Sequence, residues 1–458
     1  MKQNFKKTLW KKRHHRLTLS TSQIIIFGFI GVILLGALLL MLPISNQSGQ
    51  STNFLQALFT STSATCVTGL VVFDTATHWS LFGQFIILIL IQIGGMGVVT
   101  IAVAIALFSG RKIGLMQRST MQEAISAPKV GGIVHLTHFI IKGTFTIELI
   151  GALLMMPVFC HDFGFFKGIW YSIFHSISAF CNAGFDLMGV NMQFSSLTAY
   201  SGDILINVVI MLLIVIGGIG FLTWEDIINK KWHISKYRMQ SKTILFVSTL
   251  LIILPAIFFY FNEFSATKWN DTSQSEKVLL SFFQSVTTRT AGFNTVDFAE
   301  ITGAGITIMV ILMLIGGSPG STAGGMKTTT IAVLFATAIS AFRKKNDANL
   351  FGRRIPLETI KTAATILLMY ITLFLVGSIA ISCIEGLPML PCIFEASSAI
   401  ATVGLSMGIT STLSSASHII LIILMFLGRV GGLTLIFAAL SVRSNNISRL
   451  PQEKITVG

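Results

Sequence analysis

Charge is what this chain of 458 residues has least of. Asp, Glu, Lys and Arg make up 11% of it, while 53% is hydrophobic and the mean hydropathy is +0.78. A soluble globular protein is thereby excluded, because one core could not bury so much apolar surface. The five cysteines include no Cys-x-x-Cys pair, which excludes a disulfide framework and leaves free thiols. Intramembrane His, Asp and Cys are not clustered either. Glu148 stands alone well inside an apolar run, as a packing or partner residue, so the chemistry of a membrane-embedded enzyme is missing. The sequence has no G-x-G-x-x-G stretch opening a soluble βαβ unit.

Long apolar runs are what the chain does have. Those near 22–42, 81–108, 138–160, 202–224, 243–261, 303–342, 362–384 and 416–440 can each cross ~30 Å of hydrocarbon at ~1.5 Å per residue. Shorter stretches near 53–65, 168–181, 275–289 and 391–402 are too short to cross and suit re-entrant half-helices. The first run lacks a cleavage pattern and is read as a retained helix behind a basic cytosolic tail. The net charge of +14 is sorted by side rather than directed at nucleic acid. With both termini cytoplasmic, only Lys167, Lys268, Lys277 and Arg289 fall on the outer side, which also holds Asp74, Asp162, Asp186, Asp203, Asp271, Asp297 and Glu395. An acidic outer vestibule of this kind concentrates cations.

One pattern recurs four times. A phenylalanine is followed ten residues later by a glycine with Leu or Phe beyond it: Phe59 to Gly69, Phe174 to Gly184, Phe282 to Gly292 and Phe394 to Gly404. The glycines recur at 115, 108 and 112 residues, each between two long apolar runs. The segments before them are Val67-Thr68, Asn182-Ala183, Thr290-Ala291 and Thr402-Val403, so side chains vary while the glycine stays and the backbone carries the chemistry. A desolvated monovalent cation needs a cage of oxygens, and carbonyls from four extended segments supply one without fixed charge. Aiming successive carbonyls at one axis requires alternating backbone hand, which glycine adopts at little cost. Each half-helix also points its partially negative C-terminal end at the path. Packing glycines would explain one motif, but four in register favour a pore. His175, beside a motif phenylalanine, has no second ligand at metal spacing and is read as a packing residue.

A second set of glycines follows: Gly94-Gly95-Met96-Gly97, Gly217-Gly218-Ile219-Gly220, Gly316-Gly317-Ser318-Pro319-Gly320 and Gly428-Arg429-Val430-Gly431-Gly432. In quarters one and two these are read as tight packing. In quarter three the run Gly316, Gly317, Ser318, Pro319, Gly320, Ser321, Thr322, Ala323, Gly324, Gly325 must break the helix, since continuing it costs on the order of 7 to 8 kcal/mol. A polar loop at that depth is a candidate gate. Arg429, at the equivalent depth in quarter four, either holds the loop's free carbonyls or stands as an electrostatic barrier to cations. Lys327 either shares that role or snorkels to the cytosol.

Taken together, the sequence resembles the Trk/Ktr/HKT superfamily of potassium transporters over about residues 20–440. The most specific likeness lies in 62–70, 285–294, 316–325 and 428–432. That resemblance implies an all-α membrane protein of four tandem helix–pore-loop–helix repeats in pseudo-fourfold array, with eight transmembrane helices and four half-helices. The expected division is a cytosolic tail 1–20, repeats 21–110, 111–228, 229–345 and 346–442, and a cytosolic tail 443–458. The family's filter maps onto Gly69, Gly184, Gly292 and Gly404 and its gating loop onto 316–325, with Gly69 favouring potassium where sodium-preferring members carry Ser. The resemblance further implies a potassium-uptake subunit in the cell membrane, forming a homodimer on a cytosolic ring of RCK-type nucleotide-binding regulatory subunits. Nucleotide is then expected on the partner alone, with the potassium ion as substrate and no cofactor. It also admits sodium-coupled symport, and the alternatives are a sodium-permeable or alternating-access cation carrier. Basic segments around Arg111, Lys112, Lys230, Lys231 and Arg343 to Lys345 either dock the regulator or merely orient the helices.

Overall fold

In the computed structural model of the chain, residues 20–109, 114–125, 131–190 and 192–431 are described. The basic N-terminal segment to residue 19, Arg111, Lys112, Gly432, Leu433 to Leu440 and the segment 443–458 lie outside them. The described apolar runs are helical, and they repeat as one unit four times. Unit one comprises α1 (Thr21–Leu40), α2 (Phe54–Thr65) and α3 (Leu81–Met96), continued after a break by α4 (Val98–Phe108). A linker helix α5 (Leu115–Ala124) leads to unit two, with α6 (Ile133–Phe163), α7 (Phe165–Phe180), α8 (Ile204–Gly218) and α9 (Phe221–Lys230). Unit three holds α10 (Met239–Phe259), α11 (Gln274–Thr287), α12 (Gly303–Leu314) and α13 (Thr328–Phe342), and unit four α14 (Leu357–Glu385), α15 (Met389–Ile400) and α16 (Ser415–Val430). Between the last two units, Asn349–Leu350 and Arg353–Arg354 pair as a short antiparallel hairpin.

The first helix of every unit, α1, α6, α10 and α14, is long and apolar enough to cross a membrane. The half-helices α2, α7, α11 and α15 lie close to the spans predicted for them and stop where the glycine motifs begin. Their starts are fixed locally: Asn53 accepts from Leu55 N at 2.9 Å and Ser273 from Glu276 N at 3.3 Å, satisfying N–H groups that the first helical turn leaves free. Motif phenylalanines Phe59, Phe174 and Phe394 are fully buried. The third copy departs from the expected phase, because Phe282 is exposed and Phe283 fills the core position instead.

The second helices correct the sequence reading of quarters one and two. α3 and α4 meet at 95°, and α8 and α9 at 97°. Gly97 and Gly220 sit at these breaks with φ of +87° and +90°, and Gly431 after α16 has +85°. Close packing is present as well. A Cβ on Gly94 would overlap Thr65 O, one on Gly217 would overlap Phe180 O, and one on Gly428 would overlap Ile400 O. The first glycine of each of these sets therefore lets the helix lie against the end of its own half-helix, and the glycine three residues on turns the chain away.

Candidate functional site

The four glycine loops meet in a closed ring. A Cβ on Gly69 would lie 2.5 Å from Ala183 O, one on Gly184 2.7 Å from Gly292 Cα, one on Gly292 2.7 Å from Val403 O, and one on Gly404 2.8 Å from Gly69 Cα. Each quarter thus touches the next, and the fourth returns to the first. All four glycines have positive φ: +95°, +68°, +81° and +91° in chain order. Two residues before each stands a second left-handed position, Val67, Asn182, Thr290 and Thr402, with φ from +52° to +61°. The alternation of hand is therefore written twice in every loop. At Val67, Thr290 and Thr402 it falls on β-branched residues, for which that conformation is strained and must be held by its surroundings.

The half-helix end does the holding: Thr68 N donates to Ser63 O, Ala183 N to Ser178 O and Val403 N to Ser398 O, each at 2.8 Å, and Ala291 N to Thr287 O at 3.0 Å. A hydroxyl one to two turns back fixes the residues beyond. Ser63 Oγ accepts from Gly69 N at 3.1 Å, Ser398 Oγ accepts from Gly404 N at 3.0 Å, and Ser178 Oγ donates to Phe185 O at 2.7 Å. In quarter three Thr287 Oγ1 donates to Phe293 O, one residue later in phase, matching the shift of Phe283. Sequence reading missed these residues, although a Ser six residues before the glycine in three copies is a visible signal. Thr65, Thr68, Thr290 and Thr402 add buried hydroxyls without a protein partner. Polar groups left so in the interior call for a ligand or water.

Above the ring lies a cavity of about 280 Å³, lined by all four ring glycines together with Asp74, Asp186, Asp297 and Asn294. Asp74 Oδ1 accepts from Ala76 N and Thr77 N, both at 3.0 Å, and its Oδ2 from Phe194 N at 2.9 Å, which ties the linkers of units one and two together. Asp186 Oδ1 accepts from Met188 N at 3.0 Å. Desolvation in this linker, with a smaller push from Asp74, raises the Asp186 carboxyl to about 7 against the pull of its hydrogen bonds.

Below the ring the segment between α12 and α13 is irregular from 315 to 327, slightly beyond the predicted 316–325. It docks into the break of unit two. Ser318 N donates to Gly218 O at 3.0 Å, Thr322 N to Gly217 O at 3.3 Å, and Phe221 N to Gly320 O at 2.8 Å. Two interrupted helices thereby satisfy each other's free backbone groups, as irregular backbone within a membrane protein requires. Gly316, Gly317, Gly324 and Gly325 leave no room for a Cβ, being pressed on the loop itself and on Thr402 and Ala401 of quarter four. Pro319 and Ala323 lie within the same segment, whose tip at Gly320 reaches Ile125 O.

Arg429 binds carbonyls. Its Nη1 donates to Thr322 O, and its Nη2 to Gly94 O and, at 3.3 Å, to Gly95 O. One guanidinium thus joins the loop, the break in unit one and α16, using the fixed fork of donors that only arginine offers. Lys327 Nζ turns back onto the loop, donating to Ala323 O at 2.8 Å and Gly324 O at 3.3 Å. A second cavity of about 300 Å³ lies beneath, lined by Gly320, Ser321, Lys327, Arg429 and Glu123. His175, by contrast, is spent on structure: Nδ1 lies 2.7 Å from Tyr171 O, and Nε2 accepts from Leu187 N at 3.3 Å. Glu148 accepts from Gln92 Nε2 at 3.0 Å and faces the Cys181 thiol at 3.8 Å, a partner residue as expected.

A family model described as TrkH, cation transport protein, matches residues 2–450. The chain belongs to that family. It is therefore a multi-pass membrane transporter and not an enzyme. The potassium/sodium uptake protein NtpJ of Enterococcus hirae is 40% identical over 459 residues, covering 98% of this chain and 100% of that protein. The Ktr system potassium uptake protein B of Bacillus subtilis is 38% identical over 437 residues, covering 95% and 96%. Among solved structures, the crystal structure of the potassium transporter TrkH from Vibrio parahaemolyticus superimposes with a TM-score of 0.73 over 96% of this chain and 88% of that one, at 19% identity. The last likeness is one of fold.

Proposed function

We propose that the chain is the potassium-translocating membrane subunit of an uptake system, with the ring 67–69, 182–184, 290–292 and 402–404 as its selectivity filter. The carrying observation is the doubled alternation of backbone hand in four loops that close on one another, since this geometry turns carbonyls rather than side chains toward an axis. The unpartnered threonine hydroxyls and the four half-helix C-termini support a cation path. Segment 316–325 with Arg429 is the gate, and the acidic cavity is the outer mouth. The names of the relatives, one a potassium/sodium uptake protein and one a component of a Ktr system, support potassium as the principal ion, sodium as coupled or competing ion, and a separate partner subunit. That the partner is a cytosolic RCK-type regulator holding the nucleotide is what the family resemblance implies. A homodimer with both termini cytoplasmic completes the reading.

Growth in a bacterium stripped of potassium uptake tests it. The chain with a regulatory subunit should restore growth at low external potassium, and growth equal to the empty host would refute the assignment. The outer mouth adds a pH dependence. Asp186 is held above its ordinary value, so its charge is present above about pH 7 and lost as external pH falls through that value. Uptake at subsaturating potassium should therefore fall a few-fold between pH 8 and pH 6. Asp186→Asn should show the low rate throughout, with the step near pH 7 gone.

A further inference from the structure

The loop is pinned at one residue from two sides. Thr322 gives its carbonyl to Arg429, while its hydroxyl lies 2.8 Å from Asn182 Oδ1 and 3.1 Å from Phe180 O. Asn182 is itself a ring residue, at the left-handed position of quarter two, with φ +58°. Asparagine suits that conformation better than the β-branched residues that occupy it in the other three quarters. Its amide Nδ2 reaches Ile214 O at 3.4 Å and Arg289 O at 3.5 Å, in the second helix of its own unit and the glycine motif of quarter three. The backbone of Asn182 thus belongs to the ring and its side chain to the loop. Val67, Thr290 and Thr402 make no hydrogen bond of this kind, and the hydroxyls of the latter two are unpartnered.

We propose that the Asn182–Thr322 hydrogen bond is the coupling between the ring and the loop, so that a potassium ion held in the ring keeps the loop latched. The inference rests on the filter-and-gate reading above and adds to it a direction and a place. An ion that engages the ring carbonyls holds Asn182 in its left-handed conformation, and this holds the amide oxygen where Thr322 donates to it. An empty ring frees Asn182 and loosens the loop. Linkage makes the effect mutual: releasing Thr322 also weakens potassium binding in the ring. The signal runs through quarter two, because among the described residues that is where a ring side chain hydrogen-bonds to the loop, Thr402 of quarter four only packing on Gly324.

Hydrogen–deuterium exchange of the full chain in lipid nanodiscs, in potassium chloride or choline chloride, reads the latch directly. Backbone amides of 317–324 should exchange about threefold or more slowly in potassium, in the parent and in Thr322→Ser, which keeps the hydroxyl. Thr322→Val should exchange at one rate in both salts. The same variant should raise rubidium influx without the regulatory partner by about three- to tenfold, as expected for one lost buried hydrogen bond, and Thr322→Ser by less than twofold. If Thr322→Val does not assemble, Asn182→Ala breaks the bond from the other side and should likewise abolish the salt difference. An unchanged salt difference in either variant, or none in the parent, would overturn the coupling. Failure of the gate reading would look different: deletions within 316–325 would then leave influx at the parent level, whatever the exchange rates.

Discussion

Gly69→Ser and Gly404→Ser should each lower the preference for potassium over sodium at least tenfold. At Gly69 the added Cβ would lie 2.5 Å from Ala183 O, and at Gly404 it would overlap Thr68 O, in both cases a backbone oxygen that cannot step aside. Positive φ at both positions adds roughly 1–2 kcal/mol of conformational cost for any L side chain. The loop relieves both by turning its carbonyls off the axis, and a cage that no longer fits holds the smaller ion as readily as the larger. Relative rubidium and sodium influx into proteoliposomes measures the change. Full selectivity in both variants would mean that the ring is a packing feature and the ion passes elsewhere.

The second large effect concerns Arg429. Replacing it with Ala should raise ion flux without the regulatory partner by roughly tenfold or more, because charged hydrogen bonds to buried carbonyls contribute about 1.5–3 kcal/mol each and Thr322, Gly94 and Gly95 lose theirs together. A deletion within 316–325 should do the same. Since one guanidinium bonds the loop directly, both changes remove one constraint, and the double variant should exceed the larger single effect only slightly. Multiplicative increases would instead make Arg429 a separate electrostatic barrier. The contacts favour the clamp, because its guanidinium is bonded to carbonyls of two different units.

Much of this site is legible in the sequence, and the parts that are not share a cause. The ring glycines were visible because only glycine takes a left-handed position cheaply, so the requirement leaves a mark in the sequence. The second left-handed position, at Val67, Thr290 and Thr402, leaves none, because backbone bonds from the next residue back to the end of the half-helix override the residue's own preference. The break at 316–325 was readable from the summed cost of five glycines and a proline. Gly97 and Gly220 each cost only about 1 kcal/mol in a helix, too little to announce a bend beside two packing glycines. Their signal was positional: a glycine three residues after the first in quarters one, two and four. Phe282 shows the limit of fixed spacing, since the half-helix of quarter three is packed one residue out of phase and buries Phe283 in its place. Arg429 was found as a costly charge seeking partners, but which carbonyls it takes depends on breaks in three units at once.

The claim on which the rest depends is that backbone carbonyls of the four loops bind the transported ion. Crystals of the chain grown with thallium in place of potassium test it through anomalous scattering. Strong peaks are expected on the axis shared by residues 67–69, 182–184, 290–292 and 402–404, weakened in Gly404→Ser. Peaks confined to Asp74, Asp186 or Glu148, with nothing on that axis, would contradict it.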